Sequence, residues 1–320
     1  MKPEVAAAID SIDVTLNAGG MNTINIVLAF VMYGVALGIK PHIFVDVFKK
    51  PKSVILGVCC QLVLLPLFTF LLSLRMGSLG WIAWTMALGM ILVASCPGGN
   101  ISNFMSSLGK ANIELSVCLT AISTALAVLM TPFNFWLYGN AYLKFVEVHG
   151  GEVPHLVIPL WDVFKTIFIL LGIPLTLGIL TSHFFPKAAE KMKKPFQWVS
   201  IVFFLAMVVL SFVGNMDAFL KCIQFIFVVV LVHNLLALGI GYGVGSAFKV
   251  PRRDRRTLTI ETGIQNSGLG LVLLLGTSIF AGLPPHGGML VITAWWGVWH
   301  IISGLTVATI FNRSRKPLEP

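Results

Sequence analysis

Long apolar runs, each broken off by a short polar stretch, dominate the chain from about residue 22 to residue 311. A membrane-spanning helix needs about 20 mostly apolar residues. Runs of that kind fall at about 22–39, 53–74, 79–108, 113–138, 157–183, 197–215, 221–247, 257–282 and 287–311. The pattern therefore predicts nine transmembrane helices in an all-α polytopic membrane protein, with the two termini on opposite faces. The longest outer connection, GNAYLKFVEVHGGEVPH at 139–155, divides them into four spans and then five.

Two of the runs are interrupted near their middles. The third carries Pro97-Gly98-Gly99-Asn100, and the eighth carries TLTIETGIQNSGLG at 257–270. Proline costs a helix roughly 3 kcal/mol and glycine about 1, so both helices are expected to unwind there. The two breaks lie five spans apart, so their helices run in opposite directions, the pattern of an inverted repeat with discontinuous helices meeting near the midplane. Freed carbonyls at that depth are tolerated where they line a cavity or hold an ion. With Arg256 at the cytoplasmic boundary, Glu261 lies about 7 Å deep and Gln265 and Asn266 about 14–15 Å deep. Glu261 is shallow enough to snorkel to water; the two amides must find partners inside the bundle.

Composition agrees on the solvent. The 320 residues are 57% hydrophobic and 11% charged, with mean hydropathy +0.90, whereas a soluble domain carries about 25% charged residues. The net charge of +9 reflects topology more than a nucleic-acid partner. Seventeen cations fall in one set of connections: Lys40, Lys49, Lys50 and Lys52; Lys110; Lys187, Lys191, Lys193 and Lys194; Lys249, Arg252, Arg253, Arg255 and Arg256; Arg313, Arg315 and Lys316. The opposite set holds Lys2, Arg75, Lys144 and Lys221. The positive-inside rule then puts the C-terminus in the cytoplasm and the N-terminus outside. The five cysteines lie in apolar runs without metal-ligand spacing and read as small buried hydrophobes. The first 21 residues are too polar for a signal peptide, so the mature chain is expected to start near Met1.

At the two breaks the residues resemble a known family. PGGNISN at 97–103, with ELSVCLTAISTALAVLMTP at 114–132, is similar to the first crossover region of the bile acid:sodium symporter family, and TLTIETGIQNSGLG resembles its second. KKPKSVILGVCCQLVLLP, the pair HN at 233–234 and WHIISG at 299–304 add to the likeness, which runs from about residue 25 to the C-terminus.

The resemblance implies a panel domain (helices about 22–74 and 157–183) and a core domain (about 79–138 and 197–311, one of these later helices belonging to the panel). It implies sodium-coupled uptake of organic anions, such as bile acids or smaller carboxylates, by alternating access in a bacterial inner membrane. It further implies two sodium sites. One falls on Ser102, Asn103, Ser116, Thr120 and Glu261; the other falls on Gln61, Glu261, Thr262, Ile264 and Gln265. Oxygen ligands of this kind suit a hard cation, and the i, i+4 spacing of Ser116 and Thr120 presents both hydroxyls on one helix face. On spacing alone that pair also fits hydroxyls bonded back to their own helix.

Departures from the family are instructive. Residues 1–21 cannot span, so the chain resembles a nine-span form. Asn100 and Ile301 stand where some members carry threonine and asparagine, and both positions lie near the expected substrate cavity. Asn266 is expected either to donate to a substrate carboxylate or sulfonate or to bond the other crossover helix. His300 is expected to make a structural bond, with a proton relay or substrate contact as its alternative.

Other functions fit less well. Proton coupling through Glu261 is the alternative within transport, and a channel or receptor on the same fold is a second. An intramembrane enzyme would need a motif such as HExxH, which the seven histidines do not form.

Overall fold

The computed structural model describes residues 9, 18–39, 51–99, 101–150, 158–213, 216–275 and 287–314. Among them every regular element is helical. In chain order these are α1 (Ala18–Ala36), α2 (Pro51–Ser78), α3 (Trp84–Ser95), α4 (Ile101–Leu108), α5 (Ile113–Val148) and α6 (Leu160–Phe184). They continue with α7 (Pro186–Val213), α8 (Met216–Ala247), α9 (Arg252–Gly263), α10 (Ser267–Leu275) and α11 (Gly287–Arg313).

Among the described residues five helices are long and apolar enough to cross a bilayer unaided: α2, α5, α6, the Cys222–Ala247 stretch of α8, and α11. The chain is a multi-pass membrane protein, and its surface is arranged accordingly. Leu129, Ile169, Leu177, Val202, Val228, Leu235 and Ile310 are exposed, while Ser102, Thr120, Glu261 and Gln265 are buried.

Two helices run further than the apolar pattern suggests. The expected outer connection begins at 139, yet α5 continues to Val148. Tertiary packing carries it on: Tyr142 and Leu143 are buried, and Asn140 bonds both the backbone nitrogen and the carbonyl of Ile158. Likewise α7 starts at Pro186, taking the cationic stretch Lys187–Lys194 into its first turns. A helix satisfies its own backbone whichever solvent it crosses, so hydropathy alone marks its ends poorly.

Helix α2 contains a π turn at Cys60–Leu64. Its cause is local. Pro66 has no N–H to give to the carbonyl of Leu62, four residues earlier. The Asn134 side chain of α5 donates to that carbonyl instead, at 2.8 Å. Gln61 lies within this turn and is fully buried.

At the centre lies α3, buried from Thr85 to Ser95. A helix apolar all round belongs inside. It packs closely on α11, where a Cβ at Gly89 would come within 2.9 Å of the Met289 Cα. On one side α1, α6 and α7 pack against one another; on the other, α2, α3 and α5 pack together and α8 packs along α9.

Candidate functional site

The expected breaks are present. Between α3 and α4 the chain is non-helical around Cys96–Gly99, and between α9 and α10 it is non-helical over Ile264–Asn266. The two unwound segments meet as a short antiparallel bridge between Gly98 and Gln265. Gly99 donates its N–H to the Ile264 carbonyl, and Asn266 donates its N–H to the Pro97 carbonyl, each at 2.8 Å. Backbone left over is capped from other helices. Thr131 of α5 donates to the last carbonyl of α3, Ser95, at 2.7 Å; Asn234 of α8 donates to the Gly263 carbonyl at 2.8 Å. Unwinding inside a bundle is thus matched by partners for the freed groups.

Glu261, in the last turn of α9, is fully buried at this crossing. Three hydroxyls surround its carboxylate. Ser102 of α4 donates to Oε1 at 2.5 Å, Ser116 of α5 contacts the same oxygen, and Thr120 lies 3.1 Å from Oε2. Asn103 joins them through its Oδ1, 2.9 Å from the Ser116 hydroxyl. All five residues of the first expected ion site therefore come together. The i, i+4 pair on α5 is only partly turned back on its own helix: Thr120 also reaches the Ser116 carbonyl at 3.0 Å.

The second group stands around the backbone of the same turn. Gln61 Nε2 of α2 donates to the Glu261 carbonyl at 2.8 Å and lies 3.3 Å from its Oε2. Gln265 Nε2 donates to the Thr262 carbonyl at 2.9 Å. Ile264 contributes the carbonyl that accepts from Gly99.

Oxygen atoms outnumber protons here. Each hydroxyl has one proton to give, yet Ser116 faces both Asn103 Oδ1 and Glu261 Oε1, and Thr120 faces both carboxylate oxygens and a carbonyl. Gln61 Oε1 and Gln265 Oε1 are buried and accept from nothing. A buried acceptor without a donor costs about 1–3 kcal/mol. Buried oxygens of this kind are the ligands that a small hard cation takes.

Reading by spacing missed two contributors. Ser123 Oγ accepts from the Gly98 N–H at 3.3 Å; it continues the α5 face of Ser116 and Thr120, a signal that periodicity carries. Gly98 leaves the space itself. A Cβ there would sit 2.8 Å from Gln61 Nε2 and 3.2 Å from Glu261 Oε2.

The four expected substrate contacts are more dispersed. Asn266 caps α10, its Oδ1 accepting from Leu269 N at 3.1 Å, while its backbone joins the other crossover. His300 Nδ1 lies 2.7 Å from the Trp296 carbonyl, a bond within its own helix. Ile301 packs against the apolar group of Met105, Ile260 and Ile264. Asn100 lies outside the described residues.

Residues 25–222 match the model of the Sodium Bile acid symporter family. A Bacillus subtilis (strain 168) protein named as the uncharacterized sodium-dependent transporter YocS is 32% identical over 293 residues, covering 92% of this chain and 84% of its own length. Human sodium/bile acid cotransporter 4 is 29% identical over 276 residues, covering 85% of this chain. A rice protein named as the probable chloroplastic sodium/metabolite cotransporter BASS2 is 27% identical over 248 residues, 77% of this chain. The aligned regions span 60% and 55% of the human and rice proteins. With the family model covering more than half of its length, and transporters rather than enzymes as its relatives, the chain belongs to the sodium bile acid symporter family.

Proposed function

We propose that the protein is a sodium-coupled symporter that carries small organic anions across a bacterial cell membrane by alternating access. The observation that carries this reading is the excess of buried oxygen around Glu261, above all the unpartnered Gln61 Oε1 and Gln265 Oε1. Sodium, as a transported ion, is bound at two places. One is formed by Ser102, Asn103, Ser116, Thr120 and Glu261; the other by Gln61, Glu261, Gln265 and the carbonyls of Thr262 and Ile264. Sharing Glu261 couples them, because an ion at either place helps hold the carboxylate for the other.

The anion binds beside the crossing, where the positive ends of the half-helices α4 and α10 favour negative charge. Asn100, Asn266, His300 and Ile301 are the residues assigned to that cavity. Bile acids, sterol-like anions, small carboxylates and sulfonates are its substrate classes; the relatives are named for bile acids in one case and metabolites in another.

Nine crossings follow if α3 with α4, and α9 with α10, each count as one broken span. The C-terminus then lies in the cytoplasm. The four spans before the outer connection at 139–155 and the five after it form the two halves of an inverted repeat, each carrying one broken span. In this reading α1, α6 and α7, which pack on one another, form the panel, and α2 counts with the core because it carries Gln61.

The discriminating experiment is thermal stabilisation of the purified protein by sodium, repeated with Glu261→Ala, alongside uptake into proteoliposomes under a sodium or a proton gradient. Sodium is expected to raise the melting temperature of the native protein and not of the variant. Uptake that persists without sodium and follows the proton gradient would replace this reading with proton coupling at Glu261.

A further inference from the structure

Nearer the starts of α2, α5 and α9 lies a second polar layer, centred on another buried carboxylate. Asp254, in the first turn of α9, is 3% exposed. Its Oδ2 accepts from the Ser53 hydroxyl of α2 at 2.6 Å, and its Oδ1 accepts from the Asn112 amide at 2.7 Å. Asn112 is the N-cap of α5, its Oδ1 accepting from Leu115 N at 3.2 Å. The Asn112 backbone is tied to α9 as well: its N–H donates to Thr257 Oγ1 and its carbonyl lies 2.9 Å from the same hydroxyl.

These are three of the helices that meet at the ion cage, where α4 adds Ser102 and Asn103, and the layer repeats the meeting of those three. Ser53 precedes Gln61 by eight residues, Asn112 precedes Thr120 by eight, and Asp254 precedes Glu261 by seven. Offsets of seven and eight fall on one helical stripe, about 10–12 Å apart along the axis. Between the layers the helices touch through apolar groups. Gly57 of α2 admits the Leu119 side chain of α5, which would lie 2.5 Å from a Cβ there, and Leu115 and Leu258 fill the same cluster.

The layers differ in one respect. The cage contains buried oxygens without donors; in the Asp254 layer both carboxylate oxygens and the Asn112 amide oxygen are satisfied by neutral donors from the chain. It is complete without a ligand, so it is suited to hold geometry and not to bind an ion.

We propose that Asp254 is a positioning residue for the ion cage: with Ser53 and Asn112 it sets the axial register of α2, α5 and α9, so that Gln61, Thr120 and Glu261 meet at ion-binding distance. The inference rests on the sodium reading given above. Register matters because a slip of one residue translates a helix by 1.5 Å, whereas a binding constellation tolerates about 0.5 Å. Apolar packing alone is compatible with several registers. A carboxylate that must meet two donors on two other helices accepts one.

The test uses the full-length purified protein and two readouts: the melting temperature without sodium, and the sodium concentration giving half the maximal thermal shift. Asp254→Asn is expected to raise the half-saturating sodium ~10-fold, with Ser53→Ala giving a smaller rise in the same direction. The double substitution Asp254→Asn/Asn112→Asp exchanges amide and carboxylate across the same contact and is expected to restore most of the sodium response. If the sodium-free melting temperature falls while half-saturating sodium stays at the native value, the positioning role is overturned and Asp254 is only a structural bond. If Asp254→Asn does not accumulate, Ser53→Ala and the exchange variant decide between the same outcomes by the same two readouts. A native protein with no sodium response overturns the sodium reading and this inference together; a normal native response with unaltered variants overturns this inference alone.

Discussion

Gln61 and Glu261 are 200 residues apart in the chain, yet the Gln61 amide donates to the Glu261 backbone carbonyl at 2.8 Å and approaches its carboxylate at 3.3 Å. One side chain thus serves both the helix end and the charged group, and still presents an unpartnered oxygen. Gln61→Leu keeps the volume and removes both functions. It is expected to leave the Glu261 carbonyl without its side-chain donor, at a cost of about 1–3 kcal/mol. Sodium should then no longer shift the melting temperature, which a sodium titration by scanning fluorimetry checks.

Gly98 tests whether empty space is part of the cage. Alanine there puts a methyl group against Gln61 Nε2 and Glu261 Oε2. Gly98→Ala is expected to fold, since the space admits a methyl if the cage side chains shift by a few tenths of an ångström, and to lose sodium-dependent stabilisation. Retained sodium response would place the ion elsewhere.

The π turn in α2 gives a prediction about stability alone. Asn134→Leu orphans the Leu62 carbonyl and is expected to destabilise the protein by about 1–3 kcal/mol. Adding Pro66→Ala returns a backbone N–H four residues on and should recover part of that loss. Thermal melts of the two variants decide it; a double variant weaker than Asn134→Leu would show that proline is not the reason for the bond.

Away from the crossing, His233 Nε2 lies 2.8 Å from the Thr69 hydroxyl, and its ring packs 4.6 Å from that of Trp296. All three are fully buried, joining α8, α2 and α11. His233→Ala opens a cavity and strips Thr69 of its partner, for an expected loss of about 2–4 kcal/mol. The sodium concentration for half-maximal shift should stay at its native value, because neither residue touches the cage. A changed sodium dependence would tie this cluster to transport.

Much of the candidate site was legible because it depends on local chemistry. Pro97-Gly98-Gly99 and Gly263 weaken a helix wherever they occur, and a carboxylate with amides and hydroxyls in an apolar run has few uses besides ion or substrate binding. Ser116 and Thr120 could be paired by spacing. By contrast, no periodicity connects Asn134 to the Leu62 carbonyl, or Ser53 and Asn112 to Asp254. Those contacts join helices far apart in the chain. The extension of α5 past 139 was illegible for a similar reason, since the burial of Tyr142 and Leu143 is a property of packing.

By itself the amino-acid order determined the solvent, the helical class and the positions of the two breaks. Hydrophobicity, missing N–H groups and backbone freedom are properties a residue carries with it. Only the tertiary structure decided which oxygens share one buried point, because convergence depends on helix register and crossing, and these are set jointly by every side chain in the interface.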